Sequence, residues 1–281
     1  MYMNKFAEFI NKIEIDSLWT GGKHISWNLD RKVNILSGIN GVGKSTILNK
    51  VIKELSNDNG TIDYNKKGVK ISLTPDTATK IRFDIIRSFD RPLLYAEKIN
   101  KSKTSIATEL DWQLFQLQRK YLDYQVNIGN KMIKILQTLK PESAKEAQAL
   151  SLPKTTFQNI IDNLFKETGK KLIRSENEIR FKQGSDILEP YNLSSGEKQI
   201  LAILLTVLVE DNKPYVLLMD EPEVSLHIEW QKQLIDLILE LNPNVQIILT
   251  THSPAVIMNG WVDSVTEVNE IASEDNINLV K

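Results

Sequence analysis

Residues 38–46 read "GINGVGKST". The stretch follows an apolar run with strand character, "KVNILSG" (32–38), and opens "KSTILNKVIKELSN" (44–57), whose apolar positions recur at helical spacing. Strand, glycine-rich turn and helix together are the context in which G-x-x-x-x-G-K-[ST] binds a triphosphate. Gly38, Gly41 and Gly43 allow tight curvature without Cβ clashes. The backbone N–H groups of Asn40, Gly41, Val42 and Gly43, with the helix start behind them, then face an anion. Lys44 is expected against the β- and γ-phosphates. The Ser45 hydroxyl is expected to ligate Mg2+, and Thr46 to help hold the α-phosphate. The cofactors expected are therefore ATP and Mg2+.

A second constellation begins at Tyr215, "YVLLMDEPEVSLH". Residues 216–219 are all apolar, as in a strand buried on both faces. Asp220 and Glu221 follow at its carboxyl end, where open α/β sheets bind ligands. One acid beside Mg2+ can organise its shell, and a second can accept a proton from water attacking the γ-phosphate. Asp220 is assigned to the metal, through a water, and Glu221 to the general base. Taken alone, the pair would read as two surface carboxylates; the phosphate loop reverses that. "VQIILTTHSP" ends another apolar strand at His252. A histidine there can donate to the γ-phosphate or to the attacking water; a capping or solvent-facing histidine is the plainer alternative. His227 is expected at a subunit interface or at the start of a helix.

The 281 residues fit one large domain or two small ones. An apolar share of 41% and a charged share of 25% are ordinary for a globular chain with a sizeable core. A net charge of −1 supplies no global basic field for nucleic acid. There is no cysteine, which excludes disulfides and thiolate metal sites. His24, His227 and His252 do not show metal-ligand spacing. "MYMNKFAEFINK" lacks the apolar core and cleavage site of a signal peptide. The most apolar run, "ILAILLTVLVE" (200–210), is too short to span a bilayer. A cytoplasmic chain without a membrane partner is expected.

Residues 11–37 give two or three strands, and "GVKISLTP" and "KIRFDIIRSF" two more. Leu110, Leu114, Leu117, Tyr121, Tyr124, Ile128, Met132, Ile135 and Leu139 recur mostly at three and four, close to a heptad seam. A helix on that seam would be roughly 45 Å long. It ends at Pro141. A second helix is expected over 142–168, interrupted near Pro153, and "KLIRSENEIRFKQ" reads as a hairpin. Helices over 197–210 and 224–241 flank the acidic strand. The expected fold is α/β: a P-loop NTPase with a mixed central sheet and an inserted helical subdomain. Residues 1–91 and 171–281 form the ATPase lobe, and 92–170 form the insert.

"GINGVGKST", "NLSSGEKQ" (192–199), "LLMDEPEVSLH" and "ILTTHSP" stand in the order found in ABC-type ATPases. The chain most resembles the branch with the SMC-like, RecF-like and overcoming-lysogenization-defect-like ATPases. The resemblance is specific at these four motifs and loose over the two α/β ends, and no motif covers the insert. It implies an ABC-type head, ATP hydrolysis, a D-loop after Glu221, a switch histidine at His252 and a head-to-tail homodimer on ATP binding. In such dimers each signature turn completes the other copy's site. Ser194, Ser195, Gly196 and Glu197 would then contact the γ-phosphate held by Lys44 of the opposite copy. By itself "SSGE" reads as a capped helix start, with Glu197 completing a capping box.

The chain also departs from the family. The glutamine that couples Mg2+ to the insert has no counterpart in "FDIIRSFDRPLL", where Asp90 is the polar or metal-facing substitute. Ser195 stands where transporters usually have glycine, and "EKQILAILL" lacks their arginine and alanine pattern. Both features favour the SMC-like branch over the alternative, the nucleotide-binding subunit of an ABC transporter. The branch implies a separate effector protein, in genome maintenance such as DNA repair or in antiviral defence. Lys98, Lys101, Lys103, Lys166, Lys170, Lys171 and Arg174 would make a phosphate-contacting face for DNA or RNA, against the plainer solvated surface. The insert reads equally as a lever for a partner and as a lid on its own domain. Trp19 or His24 is a candidate neighbour of the adenine, whereas Trp27 alternates like a core residue.

Overall fold

The computed structural model describes residues 6–19, 22–57, 60–62, 68–87 and 106–274. In chain order the strands are β1 (Phe9–Ile15), β2 (Lys23–Asn28), β3 (Val33–Ser37), β4 (Val69–Thr74), β5 (Phe83–Arg87), β6 (Lys170–Leu172), β7 (Phe181–Gln183), β8 (Asp186–Leu188), β9 (Tyr215–Asp220), β10 (Val245–Thr250), β11 (Val265–Glu267) and β12 (Ala272–Glu274). The helices are α1 (Lys44–Asn57), α2 (Glu109–Leu136), α3 (Ser143–Leu164), α4 (Ser195–Val209), α5 (Ile228–Leu241), α6 (Pro254–Met258) and α7 (Val268–Ile271).

β9 and β10 are apolar without alternation because both of their faces are covered. In β9, Leu217 and Met219 point into one core and Val216 and Leu218 into the other. Ile247 and Leu249 of β10 likewise face the first core, and Ile248 the second. This is the period of two that a strand imposes. Around these strands runs a parallel five-stranded sheet in the order β11-β3-β10-β9-β5. Helices α2 to α5 cover one face. The other face meets α1 and an antiparallel sheet, β12-β2-β1-β4. The mixture of strand directions expected from the sequence is thus divided between two sheets. A short connection folds β1 back on β2 antiparallel, whereas helical crossovers return β9 and β10 parallel. Buried Gln246 ties the two layers. Its side-chain oxygen accepts from Ile10 N–H at 2.8 Å, and its amide donates to the carbonyls of Ile10 (2.8 Å) and Asp30 (2.7 Å). The C-terminal region supplies β11 to one sheet and β12 to the other, pairings that short polar segments do not announce.

α2 begins with a Thr108–Asp111 capping box. Leu110, Leu114, Leu117, Tyr121, Tyr124 and Ile128 bury one stripe in the same core as the sheet face. The seam stops there as a packing surface. Met132 packs partly against the core, and Leu139 is 89% exposed, in a left-handed conformation beyond the helix end. α3 runs unbroken through Pro153, because buried Phe157, Ile160, Ile161 and Leu164 anchor its second half. The expected hairpin is a three-stranded meander, β6-β7-β8, since the turn at Gly184 adds a third strand. Among the described residues no helix is long and apolar enough to cross a membrane. Asp90, Lys98, Lys101 and Lys103 lie outside the described residues.

Candidate functional site

β3 delivers the chain to the phosphate loop, and α1 starts at Lys44. Gly38, Gly41 and Gly43 have φ of 145°, 81° and 110°, so the loop takes the curvature that only glycine adopts without strain. At Gly43 a side chain is also excluded by contact. A Cβ there would lie 2.8 Å from Leu18 Cδ2 and 3.0 Å from Trp19 Cζ2. That contact lays the exposed indole of Trp19 on the loop. Lys44 is buried, and its Nζ donates to the carbonyls of Gly38 (2.9 Å) and Ile39 (3.3 Å). Burial pushes the Lys44 ammonium pKa down, against the opposing charges of Glu221, Asp220 and Glu223. A desolvated cation in a glycine cradle fits a triphosphate.

The register of β9 with β10 sets Asp220 beside Thr250. Asp220 Oδ1 accepts from the hydroxyls of Ser45 (2.9 Å) and Thr250 (2.6 Å). Ser45 and Asp220 therefore meet as a pair of hard oxygen donors of the kind Mg2+ takes. Glu221 follows with φ +46°, and its N–H donates to the Thr250 carbonyl at 3.0 Å. His252 lies between two of the expected catalytic groups. Its Nε2 is 3.1 Å from Glu221 Oε1, and its Nδ1 is 3.5 Å from Lys44 Nζ. A carboxylate on one side and an ammonium on the other select the tautomer with hydrogen on Nε2. Lys44, Ser45, Asp220, Glu221 and His252 are thus brought together. Thr250 and the buried Glu223 join them and were not picked out from the sequence. In the sequence, Thr250 looks like one more strand former and Glu223 like one more surface acid.

The signature turn lies at the start of α4. Ser194 caps the helix, and its N–H and hydroxyl donate to Glu197 Oε2 at 2.9 and 2.8 Å. Glu197 is only 2% exposed. It accepts from Lys170 Nζ at 2.8 and 3.0 Å and from the Thr168 hydroxyl at 2.9 Å. Burial disfavours its charge, but Lys170 and the Ser194 and Thr168 donors outweigh burial and hold the carboxyl below its usual range. The phosphate contact expected of the Glu197 side chain is therefore corrected: it is an inward-turned cap and latch. Ser194 and Ser195 remain exposed. Gly196 is pressed on the β9–α5 turn, where an added Cβ would lie 2.5 Å from the Ser225 carbonyl oxygen.

The basic face is also thinner than the sequence suggests. Lys170 is in that latch, and Arg174 pairs with Asp162 at 2.6 Å, while Lys166 and Lys171 stay exposed. His227 caps α5 by accepting from Glu229 N–H, and His24 pairs with Ser273 across β2 and β12.

Residues 69–259 match the protein family described as "AAA domain, putative AbiEii toxin, Type IV TA system". The matched span begins after the phosphate loop, so the loop geometry is independent support. The "Retron Vc95 probable ATPase" of Vibrio cholerae serotype O1 biovar El Tor is 33% identical over 101 residues, which are 32% of this chain and 20% of that protein. The "Phosphate import ATP-binding protein PstB 1" of Streptococcus thermophilus is 27% identical over 229 residues, which are 79% of this chain and 66% of that protein. The chain thus spans less than two thirds of either relative. A solved SmcHead bound to the C-winged helix domain of ScpA has the same fold, with a TM-score of 0.52 and 15% identity over 95% of this chain and 98% of that one. Family match and loop geometry converge, and the chain belongs to this AAA-domain family, with a fold like that of the SmcHead structure.

Proposed function

We propose that the chain hydrolyses ATP between two copies arranged head to tail, and that their joining and parting gates a separate effector. The observation that carries this reading is the interlock of Lys44, His252 and Glu221 at 3.5 and 3.1 Å. In it Lys44 and the loop N–H groups bind the phosphates, and Glu221 takes the proton of the attacking water. His252 orients that water or donates to the γ-phosphate. Ser45 and Asp220 would hold Mg2+, which when bound neutralises charge on the β- and γ-phosphates. Trp19, lying on Gly43, offers a flat face to the adenine. Ser194, Ser195 and the Gly196 backbone act on the opposite copy's nucleotide. Their exposure supports this, as does the absence, among the described residues, of any hydrogen bond from them to their own loop. The lobe comprises 1–91 and 171–281, and the 92–170 insert acts as the lever to the effector.

The test is Glu221→Gln. Phosphate release should fall by about 10²-fold or more, as for loss of a general base. Size-exclusion chromatography with ATP and Mg2+ should show a dimer that persists. A monomer at saturating ATP, or unchanged turnover, sinks the reading. The family description names a putative toxin of a type IV toxin–antitoxin system, which supports a defence role over DNA repair. DNA or RNA binding with and without ATP, read by fluorescence anisotropy, separates a nucleic-acid-linked machine from a protein-only regulator. The PstB likeness favours one alternative, the nucleotide-binding subunit of a transporter, which co-purification with a membrane permease would establish.

A further inference from the structure

Glu223 stands two residues beyond the general base, buried to 6% exposure. Its Oε1 accepts the Thr251 hydroxyl and, at 3.1 Å, the His252 backbone N–H. Its own carbonyl accepts from Leu226 N–H at 2.9 Å and from Gln231 Nε2 at 3.2 Å. Gln231 also donates to the Leu226 carbonyl at 2.9 Å and accepts the Ser253 hydroxyl at 2.6 Å. Ser253 N–H closes the ring on Thr251 Oγ1 at 2.9 Å. Thr251 and His252 are thus held to Glu223, and Ser253 to Gln231, whose amide is itself bound to the turn 223–226.

We propose that Glu223 is a positioning residue for ATP hydrolysis: its carboxylate fixes the loop that carries His252, and so sets the imidazole between Glu221 and Lys44. The inference rests on the ATPase reading above. The His252 N–H is the only backbone donor that ties the histidine itself to the turn, and Glu223 is its acceptor. A packing residue would meet that site with a neutral group. Glu223 instead places one buried carboxylate oxygen so that it takes both the Thr251 hydroxyl and the His252 N–H. An apolar residue at 223 would orphan the Thr251 and His252 donors together and let the loop move the ring off Glu221. Because Oε1 is the acceptor in both bonds, an amide oxygen can replace it.

The experiment compares steady-state kinetics and melting of wild type, Glu223→Ala, Glu223→Gln, His252→Ala and the Glu223→Ala/His252→Ala double variant. Glu223→Ala should lower kcat by about tenfold or more with KM for ATP within about twofold. Glu223→Gln should restore most of kcat. In the His252→Ala background Glu223→Ala should add less than about twofold, since the two act as one unit. Wild-type kcat in Glu223→Ala, or fully multiplicative losses, overturns the proposal. The chain has three histidines, so their ring signals can be separated in a 1H–15N spectrum, with His252 assigned by its own substitution. Glu223→Ala, or Thr251→Ala if the former does not fold, should shift the His252 ring signal and leave those of His24 and His227 in place. An unmoved His252 signal also overturns it. That readout needs no turnover: a wild type without ATPase activity sinks the ATPase reading, and the spectrum still judges whether Glu223 positions the ring.

Discussion

Glu221 holds a left-handed backbone, φ +46°, that a non-glycine residue adopts only when its surroundings impose it. Thr250 imposes it: the Glu221 N–H reaches the Thr250 carbonyl at 3.0 Å and its hydroxyl at 3.1 Å. The same hydroxyl donates to Asp220, so one side chain aligns Asp220 and Glu221. Thr250→Val keeps the shape and removes the hydroxyl. It should cost about 1–3 kcal/mol of stability, the penalty of unsatisfied buried partners, and lower kcat more than it raises KM. Calorimetry and steady-state kinetics on the same preparation would check both. Gly196 gives a second residue-scale test. Gly196→Ala puts a methyl 2.5 Å from backbone oxygen, and the β9–α5 turn must yield, at about 1–3 kcal/mol. A melting temperature unchanged from wild type would refute that contact. Lys44, Ser45, Asp220 and Glu221 were legible as letters because their chemistry demands those side chains at fixed spacing. Thr250 and Glu223 were not, because their roles exist only once β9 and β10 lie side by side.

At the scale of elements, α4 is pinned on both flanks near its start. Lys170 holds Glu197 at 2.8 Å, and Lys198 holds Asp111 at the start of α2 at 2.7 Å. Two largely buried ion pairs thus tie the signature turn and the start of the insert together. Breaking a buried pair leaves a charge uncompensated, so Lys170→Met should cost about 3–5 kcal/mol. The pH dependence has a definite sign. The folded Glu197 pKa lies below the ordinary carboxylate value, so its contribution is present above that value and lost as pH falls through the folded one. Lys170→Met should be most damaging near neutrality and least at acid pH, as read from denaturant midpoints across pH. A deficit independent of pH would mean that the ion pair is not what stabilises the turn. The heptad-like spacing disclosed α2 but not where it leaves the core, because exposed Val126 and Ile133 and buried Ile128 are alike as letters. Only the extent of α4 and α3 beneath them ends the packed stripe.

Across the whole molecule, the polar group farthest from legibility joins three elements that no motif connects. Asp84 of β5 lies beside Glu210 at the end of α4, and Lys120 of α2 reaches Asp84 at 3.3 Å. They line a groove of about 360 Å³ with Phe6, Arg82 and others. Burial drives the Asp84 pKa up against the pull of Lys120, and burial followed by the Asp84 charge does the same to Glu210. Both carboxyls are raised, so the folded state binds protons more tightly than the unfolded chain. The sign is opposite to that of Glu197. Stability from this pair is full at and below the ordinary carboxylate range and declines as pH rises through the raised values. Asp84→Asn keeps a hydrogen-bonding group and removes the like-charge conflict. It should flatten the alkaline side of the stability curve and leave the variant more stable than wild type near pH 8, with little difference near pH 4. Because Lys120 and Glu210 sit on the insert and the signature helix, the variant should also stiffen their junction, read as slower amide exchange in α2 near Lys120. A variant that loses stability at every pH would show that Lys120 and Asp84 form an ordinary ion pair, with both acids charged throughout.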